Sequence, residues 1–127
     1  MTWSWTDAWL LTAACMTEEN PVSLRSLFAA GDAVNHALFT DEELNTGMTK
    51  LTAAGLAEWD GEAIVLTDAG IHLYEQAAGR TRYMLQAMEN VESALRDVPL
   101  DEGELPPVEL PPSATLEAMT LYQHSAG

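Results

Sequence analysis

The stretch Leu51-Thr52-Ala53-Ala54-Gly55-Leu56-Ala57-Glu58-Trp59-Asp60-Gly61-Glu62-Ala63-Ile64-Val65-Leu66-Thr67-Asp68-Ala69-Gly70 changes its hydrophobic period twice. It opens as the end of a helix whose core face is Leu44, Met48 and Leu51, and Gly55 stands where a C′ glycine belongs. Leu56 to Trp59 then alternates apolar and polar. Asp60-Gly61 is a two-residue hairpin signal, and Ala63-Ile64-Val65-Leu66 returns as a strand. Thr67 caps the next helix, whose stripe is Ile71, Tyr74 and Ala78, with Gly79 at its end or kink.

Working toward the N-terminus, Thr40 opens the helix that leads into this stretch. Glu43 follows three residues later, which is capping-box spacing. Asn35-His36-Ala37-Leu38-Phe39 reads as a connector. Leu24, Leu27 and Phe28 mark a preceding helix, with Asn20-Pro21 as its N-cap and N1 and with Gly31-Asp32 ending or loosening it. The first helix starts at Ser4, paired with Asp7 at the same spacing, and shows Trp5, Trp9, Thr12 and Met16 on one face. Trp3, Trp5 and Trp9 are expected to roof the core. Cys15 reads as a small buried apolar residue, with no neighbour in sequence that would lower its thiol pKa.

Toward the C-terminus, Thr81 to Val98 reads as a longer helix. Met84, Met88, Val91, Leu95 and Val98 repeat at 4, 3, 4, 3, and Leu85 widens the stripe. That run is too short for a coiled coil, yet it makes these five residues the candidate interface for a partner or a second copy. Beyond Val98, Pro99, Pro106, Pro107, Pro111 and Pro112 interleave with Asp101, Glu102, Glu104 and Glu109. Such composition predicts an extended, solvated segment, with one or two helical turns around Leu116, Met119 and Tyr122. The expected organisation is a domain over residues 1–98 and an acidic proline-rich tail, extended or partly disordered, over residues 99–127.

Helix, helix, capped helix, hairpin and helix is the element order of a winged helix-turn-helix. The "L-x-x-x-G-L" helix exit at Leu51–Leu56 and the "L-T-x-x-G" re-entry at Leu66–Gly70 resemble those of bacterial MarR- and PadR-type regulators. The resemblance runs from about Trp5 to Ala78. It implies a mostly α fold with a small antiparallel β-hairpin wing, a homodimer built from flanking helices, and a third helix that grips DNA together with the wing. On that helix Asn45, Thr46, Thr49 and Lys50 fall opposite the core face, where base and phosphate contacts would be made.

The charge around those four residues opposes that role. Asp41, Glu42 and Glu43 fill the first turn, the hairpin adds Glu58, Asp60 and Glu62, and Lys50 is the single base among them. Affinity for DNA rests largely on Lys and Arg displacing phosphate counterions. The whole chain repeats the imbalance, with 5 Lys+Arg against 20 Asp+Glu over 127 residues, a formal net charge of -15. Polyanionic partners, whether nucleic acid or anionic membrane, are disfavoured. The apolar share of 47% excludes wholesale disorder. No apolar run is long enough to span a bilayer, and the absence of an export signal points to the cytoplasm.

Catalytic signals are missing. His36, His72 and His124 are far apart, with no HExxH pair, no phosphate loop and no G-x-S-x-G elbow. No enzyme activity, metal or cofactor is expected. The residues therefore predict a non-enzymatic regulatory or adaptor module acting through protein partners or itself. The alternative is a DNA-binding regulator using Asn45, Thr46, Thr49 and Lys50.

Overall fold

In the computed structural model, which describes residues 1–101 and 103–126, helix α1 (Trp5–Met16) runs through the centre of the molecule. Every residue from Asp7 to Ala14 is buried. Helices α2 (Leu24–Asn35), α3 (Asp41–Ala53), α4 (Asp68–Ala78) and α5 (Met84–Arg96) all pack against it. This corrects the single face expected from Trp5, Trp9, Thr12 and Met16, since Trp5 is half-buried and Met16 exposed. A helix surrounded on all sides has no solvent stripe, and Ala8, Leu10, Leu11 and Ala13 fill its other flanks. The Ser4–Asp7 box is present, with the Ser4 N–H donating to Asp7 Oδ2 at 2.8 Å. Trp3 and Trp9 are buried as expected.

Asn20-Pro21 does not start the second helix. Val22–Ser23 forms a short strand, β1, and Ser23 is the N-cap of α2, its Oγ accepting from the Ser26 N–H at 3.2 Å. The Asn20 side chain instead reads the backbone of Leu66, accepting from its N–H at 2.9 Å and donating to its carbonyl at 3.0 Å. Nor does α2 end at Gly31-Asp32. It continues to Asn35 and closes on His36, which adopts φ 54 and donates its N–H to Asp32 O at 2.7 Å. Gly31 serves packing rather than termination. A Cβ there would lie 2.5 Å from the Phe39 ring. Phe39 stacks on Trp9 with centroids 3.8 Å apart, and the Trp9 indole donates to the Gly31 carbonyl at 3.0 Å.

The period change after Gly55 produces the hairpin. Strand β2 (Ala57–Trp59) and strand β3 (Ala63–Leu66) pair antiparallel, with Glu58 opposite Val65 and Trp59 opposite Ile64. Asp60 Oδ1 holds the turn by accepting from the N–H groups of Glu62 and Ala63, both at 2.8 Å. β1 adds to the far edge of β3, with Val22 opposite Ile64, so the sheet order is β1-β3-β2. Thr67 caps α4 through its Oγ1, which accepts from the Gly70 N–H at 3.1 Å. Gly70 must lack a side chain, because a Cβ there would collide with the Leu56 carbonyl. The protein is thus mostly helical, with one small antiparallel sheet. Among the described residues no helix is long and apolar enough to cross a membrane.

The proline-rich segment departs furthest from expectation. Its described residues between Val98 and α6 form no helix or strand, but residues 105–110 lie against the domain rather than in solvent, with Leu105 and Leu110 buried. It then enters helix α6 (Pro112–Ala126), far longer than one or two turns, which packs along α2. The Tyr122 hydroxyl donates to Asp32 Oδ2 at 2.7 Å across that contact.

Candidate functional site

Helix α3 is the element on which the sequence concentrates polar side chains beside a hairpin. Its start is fixed locally: Thr40 Oγ1 accepts from the Glu43 N–H at 3.1 Å, and Glu43 Oε1 accepts from the Thr40 N–H at 2.9 Å. Asp41, Glu42 and Glu43 all sit in the first turn, where the helix dipole favours negative charge. Leu44, Met48 and Leu51 are buried as their spacing predicts. Gly47 brings α3 close to α1, since a Cβ there would meet Leu10 Cδ2 at 2.6 Å.

The opposite face is not open. Thr49 is 5% exposed, its Oγ1 donating to the Asn45 carbonyl at 2.7 Å and accepting from the Val108 N–H at 2.9 Å. Asn45 is half-buried, and its Oδ1 accepts from the Leu110 N–H at 2.9 Å. Lys50 is 4% exposed. It turns away from solvent to form an ion pair with Asp7 and donates to the Thr2 carbonyl at 3.0 Å. Thr46 alone of the four lies on the surface, beside Glu42. The outward positions that periodicity assigns to Thr49 and Lys50 are therefore corrected. A helix clamped between α1 on one flank and the C-terminal segment on the other has little exposed face left.

The strap that closes this face has its own chemistry. Residues 105–112 read Leu-Pro-Pro-Val-Glu-Leu-Pro-Pro, so four of the eight positions have no N–H to satisfy. In an extended chain, residues i and i+2 point the same way. Val108 and Leu110 therefore both present their N–H groups to α3, where Thr49 and Asn45 accept them. Farther along, Thr115 is buried and its Oγ1 donates to Asp41 Oδ1 at 2.8 Å. A cavity of about 480 Å³ remains beneath α6, lined by Phe28, Phe39, Asp41, Pro112, Thr115 and Met119 among others. The signal for docking was present in sequence as two leucines five residues apart, each followed by two prolines.

The α5 stripe is also inside the chain. Met88, Val91 and Leu95 are completely buried, while Met84 and Val98 are half-buried. They face α1 and α4, and the Val98 carbonyl accepts from the Trp3 indole at 2.9 Å. Of the stripe and its widening residue, only Leu85 is left well exposed, at 65%.

Reactive groups are few. Burial pushes the Cys15 thiol up to about 12, with the nearby Glu75 carboxylate adding to the rise. Such a thiol holds its proton at neutral pH and is a poor nucleophile. Asp60 is held below the ordinary carboxylate range by the two backbone N–H groups of its turn. Among the described residues no three His, Cys, Asp or Glu side chains gather as a metal site. No protein-family model matches the chain, and comparison with curated proteins and with solved structures finds no match.

Proposed function

We propose that this chain is a winged-helix module of the regulatory or adaptor kind, non-enzymatic, working through contacts with other proteins rather than on DNA. The element order supports the winged-helix half: α3 delivers the chain directly into the β2–β3 hairpin, and β1 pairs with the same hairpin. One observation carries the functional half. The face of α3 that a DNA-binding relative of this architecture would use is occupied by residues 105–110 of the same chain, and its one lysine is buried against Asp7. The surface left around it is acidic, with Asp41, Glu42, Glu58, Asp60 and Glu62 exposed.

Non-specific affinity for duplex requires several phosphate contacts from cations. α3 and the hairpin offer none. Titrating the full chain against a random-sequence duplex at about 50 mM salt should give no saturation below about 100 μM. Micromolar binding that is lost on replacing Asn45 or Thr46 would overturn the proposal in favour of a DNA-binding regulator.

A further inference from the structure

The turn between α4 and α5 brings exposed basic and exposed apolar residues together in one short stretch. Of the five basic residues, Lys50 is buried with Asp7, Arg96 is paired with Glu92 at 2.9 Å, and Arg25 lies on α2. Arg80 and Arg82 remain, both exposed, and among the described residues neither has an ion-pair partner. Directly after them come the two most exposed large apolar side chains of the described residues, Tyr83 at 77% and Leu85 at 65%. Gly79, at φ 58, closes α4 just before them.

Local structure does not explain Tyr83. It occupies the N-cap of α5 without making a capping bond, whereas the caps of α2, α3 and α4 are Ser23, Thr40 and Thr67, each with its hydroxyl engaged. Tyrosine is a poor choice at that position. A residue that breaks a local rule without a packing gain is a candidate for function. Tyr and Arg are also the residue types that dominate energetically important contacts between proteins.

We infer that Arg80, Arg82, Tyr83 and Leu85 form a docking tip for a short acidic peptide segment of a partner protein, carrying at least one apolar side chain. This rests on the adaptor reading above and names the surface it uses. Carboxylates of the segment meet the two guanidinium groups, whose planar forks suit bidentate pairing. Its apolar side chain lies on Tyr83 and Leu85. Charge complementarity selects the occupant, because Arg80 and Arg82 are two exposed cations two residues apart on a chain of formal net charge -15. The size of that pair excludes longer polyanions. Screening reaches only about 8 Å at physiological salt, which favours a segment short enough to stay at the tip. A duplex or an anionic bilayer extends past the tip onto α4 and α5, where the exposed Glu75 and Glu89 repel it.

The test is selection of random dodecapeptides on the immobilised full chain in about 0.15 M salt. The expected winners are rich in Asp and Glu with an aromatic or aliphatic residue. Their binding falls at least tenfold in Arg80→Glu/Arg82→Glu and in Tyr83→Ala, while the unfolding midpoints of these exposed-site variants stay unchanged. Basic winners, no enrichment, or equal binding to the charge-reversed variant would each overturn the inference. So would tip-dependent binding of a 30-base-pair duplex or of phosphatidylserine vesicles in parallel assays. Failure of the adaptor reading looks different: duplex binding that depends on Asn45 or Thr46 and is indifferent to Arg80 and Arg82.

Discussion

Thr49 Oγ1 accepts a 2.9 Å hydrogen bond from the N–H of Val108, joining the middle of α3 to a residue that follows the end of α5. Asn45 repeats the arrangement one helical turn earlier with Leu110. These two side chains hold an extended strap where they would otherwise face solvent. Removing either acceptor leaves a part-buried N–H unsatisfied, at about 1–3 kcal/mol. Thr49→Val and Asn45→Ala should each lower stability by that amount in urea unfolding. Ordinary surface positions change by no more than about 0.5 kcal/mol, so values in that range would place the strap off the helix.

The Lys50–Asp7 pair lies entirely inside, and each partner alone would be a buried charge without compensation. Lys50→Ala or Asp7→Ala should destabilise by about 3–5 kcal/mol. Replacing both with apolar side chains, Asp7→Leu with Lys50→Met, should lose much less than the sum of the single changes, because the desolvation of both charges disappears together. A double-mutant cycle with no coupling would contradict the pairing.

Met88 is fully enclosed by α1 and α4, so its contribution is intramolecular. Met88→Ala should lower stability by about 2–5 kcal/mol. The unfolding midpoint of both proteins should not move over a hundredfold range of concentration, since a subunit interface would make it concentration-dependent. A midpoint rising with concentration in the parent, and flat in the variant, would return the α5 stripe to a dimer interface.

Cys15 supplies a pH test. Its folded-state pKa of about 12 lies above the ordinary 9.0 because of burial first and Glu75 second. Between those values the unfolded chain has lost the proton and the folded chain keeps it, so stability falls as pH rises from about 9. Below that window both states are protonated and the effect vanishes. Cys15→Ala should flatten the alkaline decline, and the parent thiol should resist iodoacetamide at pH 8 until the protein is unfolded. Rapid native-state alkylation would show the thiol to be exposed.

What was legible in the sequence is what depends on near neighbours. Thr40 with Glu43, Gly55 and Thr67 each act within four residues and sit where their chemistry places them. The hairpin signal at Asp60-Gly61 is displaced by one, since Asp60 lies opposite Ala63 and the turn is Gly61-Glu62. β1 was not legible, because Val22 and Ser23 become a strand only by meeting Ile64 and Ala63 from a distant segment. The facing of Thr49 and Lys50 failed for a related reason. Helical periodicity assumes one buried side and one wet side, but α3 has α1 on one flank and the strap on another. The prolines of residues 99–112 suggested solvation, whereas their missing N–H groups are what let the segment lie against a helix with only two donors to satisfy there.

Amide hydrogen exchange across residues 105–112 tests the closure of α3 most directly. Val108 and Leu110 donate to α3, while among the described residues the N–H of Glu109 between them makes no hydrogen bond. The predicted pattern is slow, fast, slow: protection at Val108 and Leu110 approaching that of the helix core, and rapid exchange at Glu109. Uniformly fast exchange over the three residues would mean that the strap is in solution and that the polar face of α3 is free.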